Sequence, residues 1–156
     1  MFRCAALLIT LFCLAGCTGV NGPTASPGEY VHYYQVETQK PYDEVLDELK
    51  SAIAENNFRI TAHSRVGKVI RERGDKDFPE FDTIQFCNLT HARTMLLMEP
   101  EAIKYMPCNV VMYQRDGKTI VRTHLLPTDS DKPELNSFFG TMNEKLKEIL
   151  DFAVEE

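Results

Sequence analysis

The chain has 156 residues, 44% hydrophobic and 26% charged, which is enough for one globular domain with a buried core and too few for two. Its net charge is −6, falling to −7 if a leader carrying Arg3 is removed, and no basic run exceeds two residues. This excludes a nucleic-acid partner, whose affinity rests on phosphates neutralised by clustered Lys and Arg.

Residues 1–17, MFRCAALLITLFCLAGC, open with an amine and Arg3, continue with an apolar run over 5–14, and end on small residues before Cys17. That is the three-part plan of a secretory leader, and the run is too short to span a bilayer. Leu14-Ala15-Gly16-Cys17 resembles the bacterial lipobox. The resemblance implies a leader over 1–16, a diacylglyceryl group on the Cys17 sulfur, and a protein held in the cell envelope by its lipid. The bland alternative is a leader cut elsewhere, with Cys17 left as a thiol. Thr18 in place of an aspartate is similar to lipoproteins passed to the outer membrane in bacteria with two membranes, which implies its periplasmic face. Residues 18–29, TGVNGPTASPGE, hold too little apolar surface to repay ordering and read as a tether. A strand there is disfavoured, because Pro23 and Pro27 lack the N–H that a ladder needs.

The single domain then runs over 30–156. Aromatic and β-branched residues predict a strand over 30–37. Pro41 suits a first helical turn, and Tyr42, Val45, Leu46, Leu49, Ala52 and Ile53 recur at helical spacing, predicting a helix over 41–56 with Asn57 as a left-handed cap. Alternation over 58–63 predicts a strand, residues 64–67 a turn, and 68–72 a second short strand completing a hairpin. Residues 73–81, with Gly74 and Pro79, read as a loop. A strand over 82–87 follows. Asn88 is a good N-cap for a helix over 89–98 that buries Leu89, Ala92, Leu96 and Met95 and ends at Pro100. Strands over 108–114 and 119–126 flank Asp116-Gly117, a type I′ hairpin signal. A loop over 127–132 leads to a closing helix from Pro133, whose Leu135, Phe139, Met142, Leu146, Ile149 and Ala153 trace one face, with Phe138 and Leu150 beside it. The order predicts an α+β fold: a largely antiparallel sheet of about six strands with helices on one face.

The stretch FCNLTHARTMLLMEPEAIKYMPCNVVMYQRDGKTIV, residues 86–121, resembles the signature of the domain-of-unknown-function 302 family: a Cys-Asn-Pro step, a helix, and a Pro-Cys step before a hairpin strand. The likeness extends over about 30–154 and implies a TATA-box-binding-protein-like fold with the order strand, helix, strands, helix. It implies no activity. Leu89 departs from the pattern by standing where the proline is expected.

Cys87, His91 and Cys108 form the one constellation with chemical content. An exported protein suits a Cys87–Cys108 disulfide. A cysteine at a helix N-terminus also suits a reactive thiolate, hence redox or sulfur handling. Two thiolates and His91 would suit copper or zinc, although the spacing matches no common zinc motif, and otherwise no cofactor is expected. Two merely buried cysteines are the fourth reading. His32, His63 and His124 read as ordinary partly exposed strand side chains rather than ligands, and Met95, Met98, Met106 and Met112 as packing. Asn88-Leu89-Thr90 matches a glycosylation acceptor by coincidence. With no catalytic triad, phosphate loop or dinucleotide fingerprint, the reading is a non-enzymatic envelope module. It would bind a small ligand or an envelope protein around Cys87, Asn88, His91, Pro107 and Cys108, with a homo-oligomer left open.

Overall fold

The computed structural model describes residues 32–155. The lipobox, Cys17, the whole tether and the first two residues of the predicted first strand therefore lie outside the described residues. Five strands form one antiparallel sheet: β1 (Tyr33–Thr38), β2 (Arg59–Arg65), β3 (Phe81–Cys87), β4 (Cys108–Arg115) and β5 (Lys118–His124), in the order β1-β5-β4-β3-β2. Four helices accompany them, α1 (Tyr42–Glu55), α2 (Val66–Glu72), α3 (Leu89–Met98) and α4 (Pro133–Phe152), with a 3₁₀ turn at Pro100–Tyr105. Among the described residues no helix is long and apolar enough to cross a membrane.

The α+β layout holds, but with five strands rather than six, because 68–72 is the end of helix α2. Gly67 explains the difference. A Cβ there would sit 2.4 Å from the Pro79 carbonyl oxygen and 2.7 Å from the Phe81 nitrogen, so the bare glycine lets α2 lie against the strand entry. Lys68 and Glu72 pair one turn apart at 3.8 Å, and Arg71 donates to the Phe78 carbonyl at 2.8 Å and pairs with Glu80. β2 finds its partner in β3 instead, with Ile60 opposite Phe86 and a register shift between Ile60 and Ala62. That bulge turns His63 to the side of Ile84 and Asp82.

α1 and α4 cover one face of the sheet. Val45, Leu49 and Ile53 of α1 and Met142, Leu146 and Ile149 of α4 meet Ile84, Phe86, Val110, Met112 and Val121 in the main core. The predicted apolar face of α4 is buried throughout, from Leu135 to Ala153. A second cluster joins Met95 of α3 and Ala102 of the 3₁₀ turn to Leu135 and Phe139. This fixes α3 beside the first half of α4, near the end of the sheet where β3 finishes and β4 begins. The expected turn chemistry is present: Asn57 is left-handed at φ 60°, as are Asp116 at 52° and Gly117 at 75°.

Candidate functional site

The end of β3, the cap of α3 and the start of β4 bring the predicted residues together in two adjoining hollows. Asn88 organises the first. Its Oδ1 accepts from the backbone N–H groups of Thr90 at 2.9 Å and His91 at 3.1 Å, and its Nδ2 donates to the Asn57 carbonyl at 2.8 Å. The amide is thus committed at both ends, tying α3 to the turn between α1 and β2. Cys87, Asn88, His91 and Cys108 line a hollow of about 30 Å³ with Phe58, Met95 and Phe138. That is about the volume of one water. The His91 ring lies 6.1 Å from Phe58 and 6.2 Å from Phe138, packed among aromatics.

The cysteines are two free thiols, so the disulfide reading is not realised. The ladder gives the reason: Cys108 stands opposite Phe86, while Cys87 stands opposite Arg59 on the other neighbour, so the two are not a cross-strand pair. The thiolate reading gains no support. Burial raises the pKa of Cys87, and burial, followed by the neighbouring Cys87, pushes Cys108 up to about 11. Desolvation outweighs the helix terminus, whose N–H groups are spent on Asn88. Among the described residues no three His, Cys, Asp or Glu side chains gather to hold a metal ion. Cys87, His91 and Cys108 therefore do not form the copper or zinc set.

One further placement differs from expectation. Leu89, expected on the buried face of α3, is 82% exposed, because the cap sets the helix phase so that Ala92 and Met95 turn inward. His63 is partly exposed on its strand, as expected, and its Nε2 lies 2.7 Å from Oδ2 of the wholly buried Asp82, with Arg65 Nε at 3.8 Å from the same oxygen. Tyr42 donates to the Met112 carbonyl at 3.1 Å, and burial with the Asp82 charge raises its pKa strongly.

The second hollow is larger. It encloses about 420 Å³ and is lined by Pro107 and Cys108 together with Met106, His124, Leu126 and Gln85 among others. That volume lies within the range of small-ligand pockets. Cys108, Met106, Tyr105 and Leu126 belong to both linings and separate the two hollows. The Met106–Pro107 bond at the rim is cis. No Asp or Glu is found among the described residues that line this cavity, in a chain with 23 acids against 17 bases. Asn143, buried in the apolar stripe of α4, fixes the wall: its Oδ1 accepts from the Leu126 N–H at 2.8 Å and its Nδ2 donates to the Leu126 carbonyl at 2.9 Å. A lone amide between Phe139, Met142 and Leu146 was the signal in the sequence for this clamp.

The family model for the Domain of unknown function DUF302 matches residues 34–153. The chain belongs to the DUF302 family. Among solved structures it is similar to one titled the crystal structure of uncharacterized conserved protein DUF302 from Bacillus stearothermophilus, with 20% identity and a TM-score of 0.68. That likeness covers 79% of this chain and 98% of the other, and it establishes the shared DUF302 fold. No curated protein matches.

Proposed function

We propose that this DUF302 domain is a lipid-anchored envelope module, not an enzyme, that binds a small amphipathic molecule in the cavity behind Met106, Pro107 and Cys108. The observation that carries the reading is the 420 Å³ hollow, with an apolar lining that includes Met106, Pro107, Leu125, Leu126 and Pro127 and amides at Gln85 and Asn109. Apolar walls with a few placed polar groups are what ligand pockets are made of. The absence of carboxylates from that lining favours an anionic head group over a cationic one. The lipobox at Leu14-Ala15-Gly16-Cys17 supports the anchor. The rival reading, a redox or sulfur-handling thiol, is less favoured because burial raises the pKa of both cysteines.

The test compares octanoate, octylamine and 1-octanol, equal in chain length and different in charge, by thermal unfolding of the full chain. Octanoate should raise the midpoint most. Leu126→Trp, which fills the cavity while leaving the backbone bonds to Asn143 available, should abolish the shift. Stabilisation that persists in Leu126→Trp, or none by any of the three, would sink the proposal.

A further inference from the structure

α3 buries Ala92 and Met95 and turns Leu89 and Leu97 outward, at 82% and 70% exposure. At 3.6 residues per turn, Leu89, Arg93 and Leu97 fall within an arc of about 80°, so they form one stripe. The 3₁₀ turn packs on α3 and extends it. Ala102 joins Met95 inside, which leaves Ile103 56% exposed. Single exposed aliphatic residues need no explanation, but three on one continuous helix-turn unit, Leu89, Leu97 and Ile103, mark a contact surface.

The way the preceding chain reaches the fold identifies what covers this surface. His32 lines the same cavity as Lys104 of the 3₁₀ turn, so residues 1–31 join the domain beside that turn. Fifteen residue steps separate Cys17 from His32, a reach of at most roughly 50 Å. An acylated Cys17 would therefore hold the domain by this end within that reach of the bilayer, and the α3 stripe is an exposed apolar surface packed beside the same turn.

We infer that the face formed by α3 and the 3₁₀ turn docks on the lipid surface, with Leu89, Leu97 and Ile103 entering the headgroup boundary and Arg93 reaching the phosphates. The chemistry is that of an interfacial amphipathic helix, whose aliphatic residues leave water while a long cation lies along the surface. This rests on the anchored reading above and not on the ligand cavity.

The chain contains no tryptophan, so one introduced residue is the sole indole emitter. Leu97→Trp, Ile103→Trp and, as a control on the outer face of α4, Glu148→Trp are placed singly in the full-length lipidated chain. Each is reconstituted with phosphatidylethanolamine and phosphatidylglycerol vesicles carrying brominated acyl chains. Emission from Trp at 97 and 103 should shift to the blue and be quenched severalfold more than at 148. Unshifted emission at both sites, in protein that still sediments with the vesicles, overturns docking and leaves the anchor standing. Equal quenching at all three sites overturns a specific face. Failure to sediment at all overturns the anchored reading and the docking with it. Self-association in detergent that Leu97→Asp abolishes, with no blue shift on vesicles, would identify a second copy as the occupant.

Discussion

Burial decides the chemistry of Cys108, whose thiol moves from an ordinary value near 9 to about 11. A folded pKa above the unfolded one means that the unfolded chain loses its proton first as pH rises. The stability that depends on this thiol is thus complete below pH 9 and drains away between 9 and 11, at about 1.4 kcal/mol per pH unit. Cys108→Ala should be less stable than the parent at pH 7.5, through lost packing, yet fall less steeply up to pH 10. Urea midpoints at the two pH values check this, and parallel slopes would count against a desolvated thiol. Burial also raises Tyr42, and the hydrogen bond to Asp151 raises Tyr34, but both act above pH 10 and are common to both proteins. The residue types at 87, 88, 91 and 108 could be read as reactive from sequence, because thiol and imidazole announce chemistry wherever they stand. Their surroundings could not, since Phe58, Leu126 and Phe138 arrive from three other segments to meet them.

At the scale of elements, α4 carries the packing. Phe139 and Leu146 are each 1% exposed, in the second cluster and the main core respectively. Phe139→Ala should cost about 3 to 5 kcal/mol and Leu146→Ala about 2 to 5, through lost transfer energy and the cavity left behind. Glu148→Ala, on the outer face, should change stability by no more than about 0.5 kcal/mol. Equal denaturant shifts from inner and outer changes would mean that α4 does not cover the sheet. This helix was readable because its stripe repeats over twenty residues at one period. α2 was not, because Val69, Ile70 and their neighbours over seven residues satisfy a strand as well as a helix. What settles it is the close approach of Gly67 to Pro79 and Phe81, a tertiary contact that no local pattern encodes.

For the whole molecule, the fold could be anticipated and the cavity could not. Hairpin turns, caps and periodicity are local, whereas the hollow gathers His32, Gln85, Lys104, His124 and Leu146 from separate stretches of chain. The anchor remains a prediction from the lipobox alone: Cys17→Ser removes the acyl acceptor and should leave an unprocessed precursor absent from the membrane fraction. Normal fractionation of that variant would refute it. The position of β1 has a mechanical consequence. β1 is the edge strand that follows the leading segment, paired only with β5, from Tyr33 opposite His124 to Thr38 opposite Thr119. A pull directed along this strand through the residues before His32 would load the six register pairs side by side instead of opening them one at a time. Tyr34 adds a strut to α4 through its 2.7 Å bond to Asp151. Under such a pull the first part to yield would be the seam between β1 and β5, which releases Tyr34 and Val36 from the edge of the core that α1 and α4 enclose.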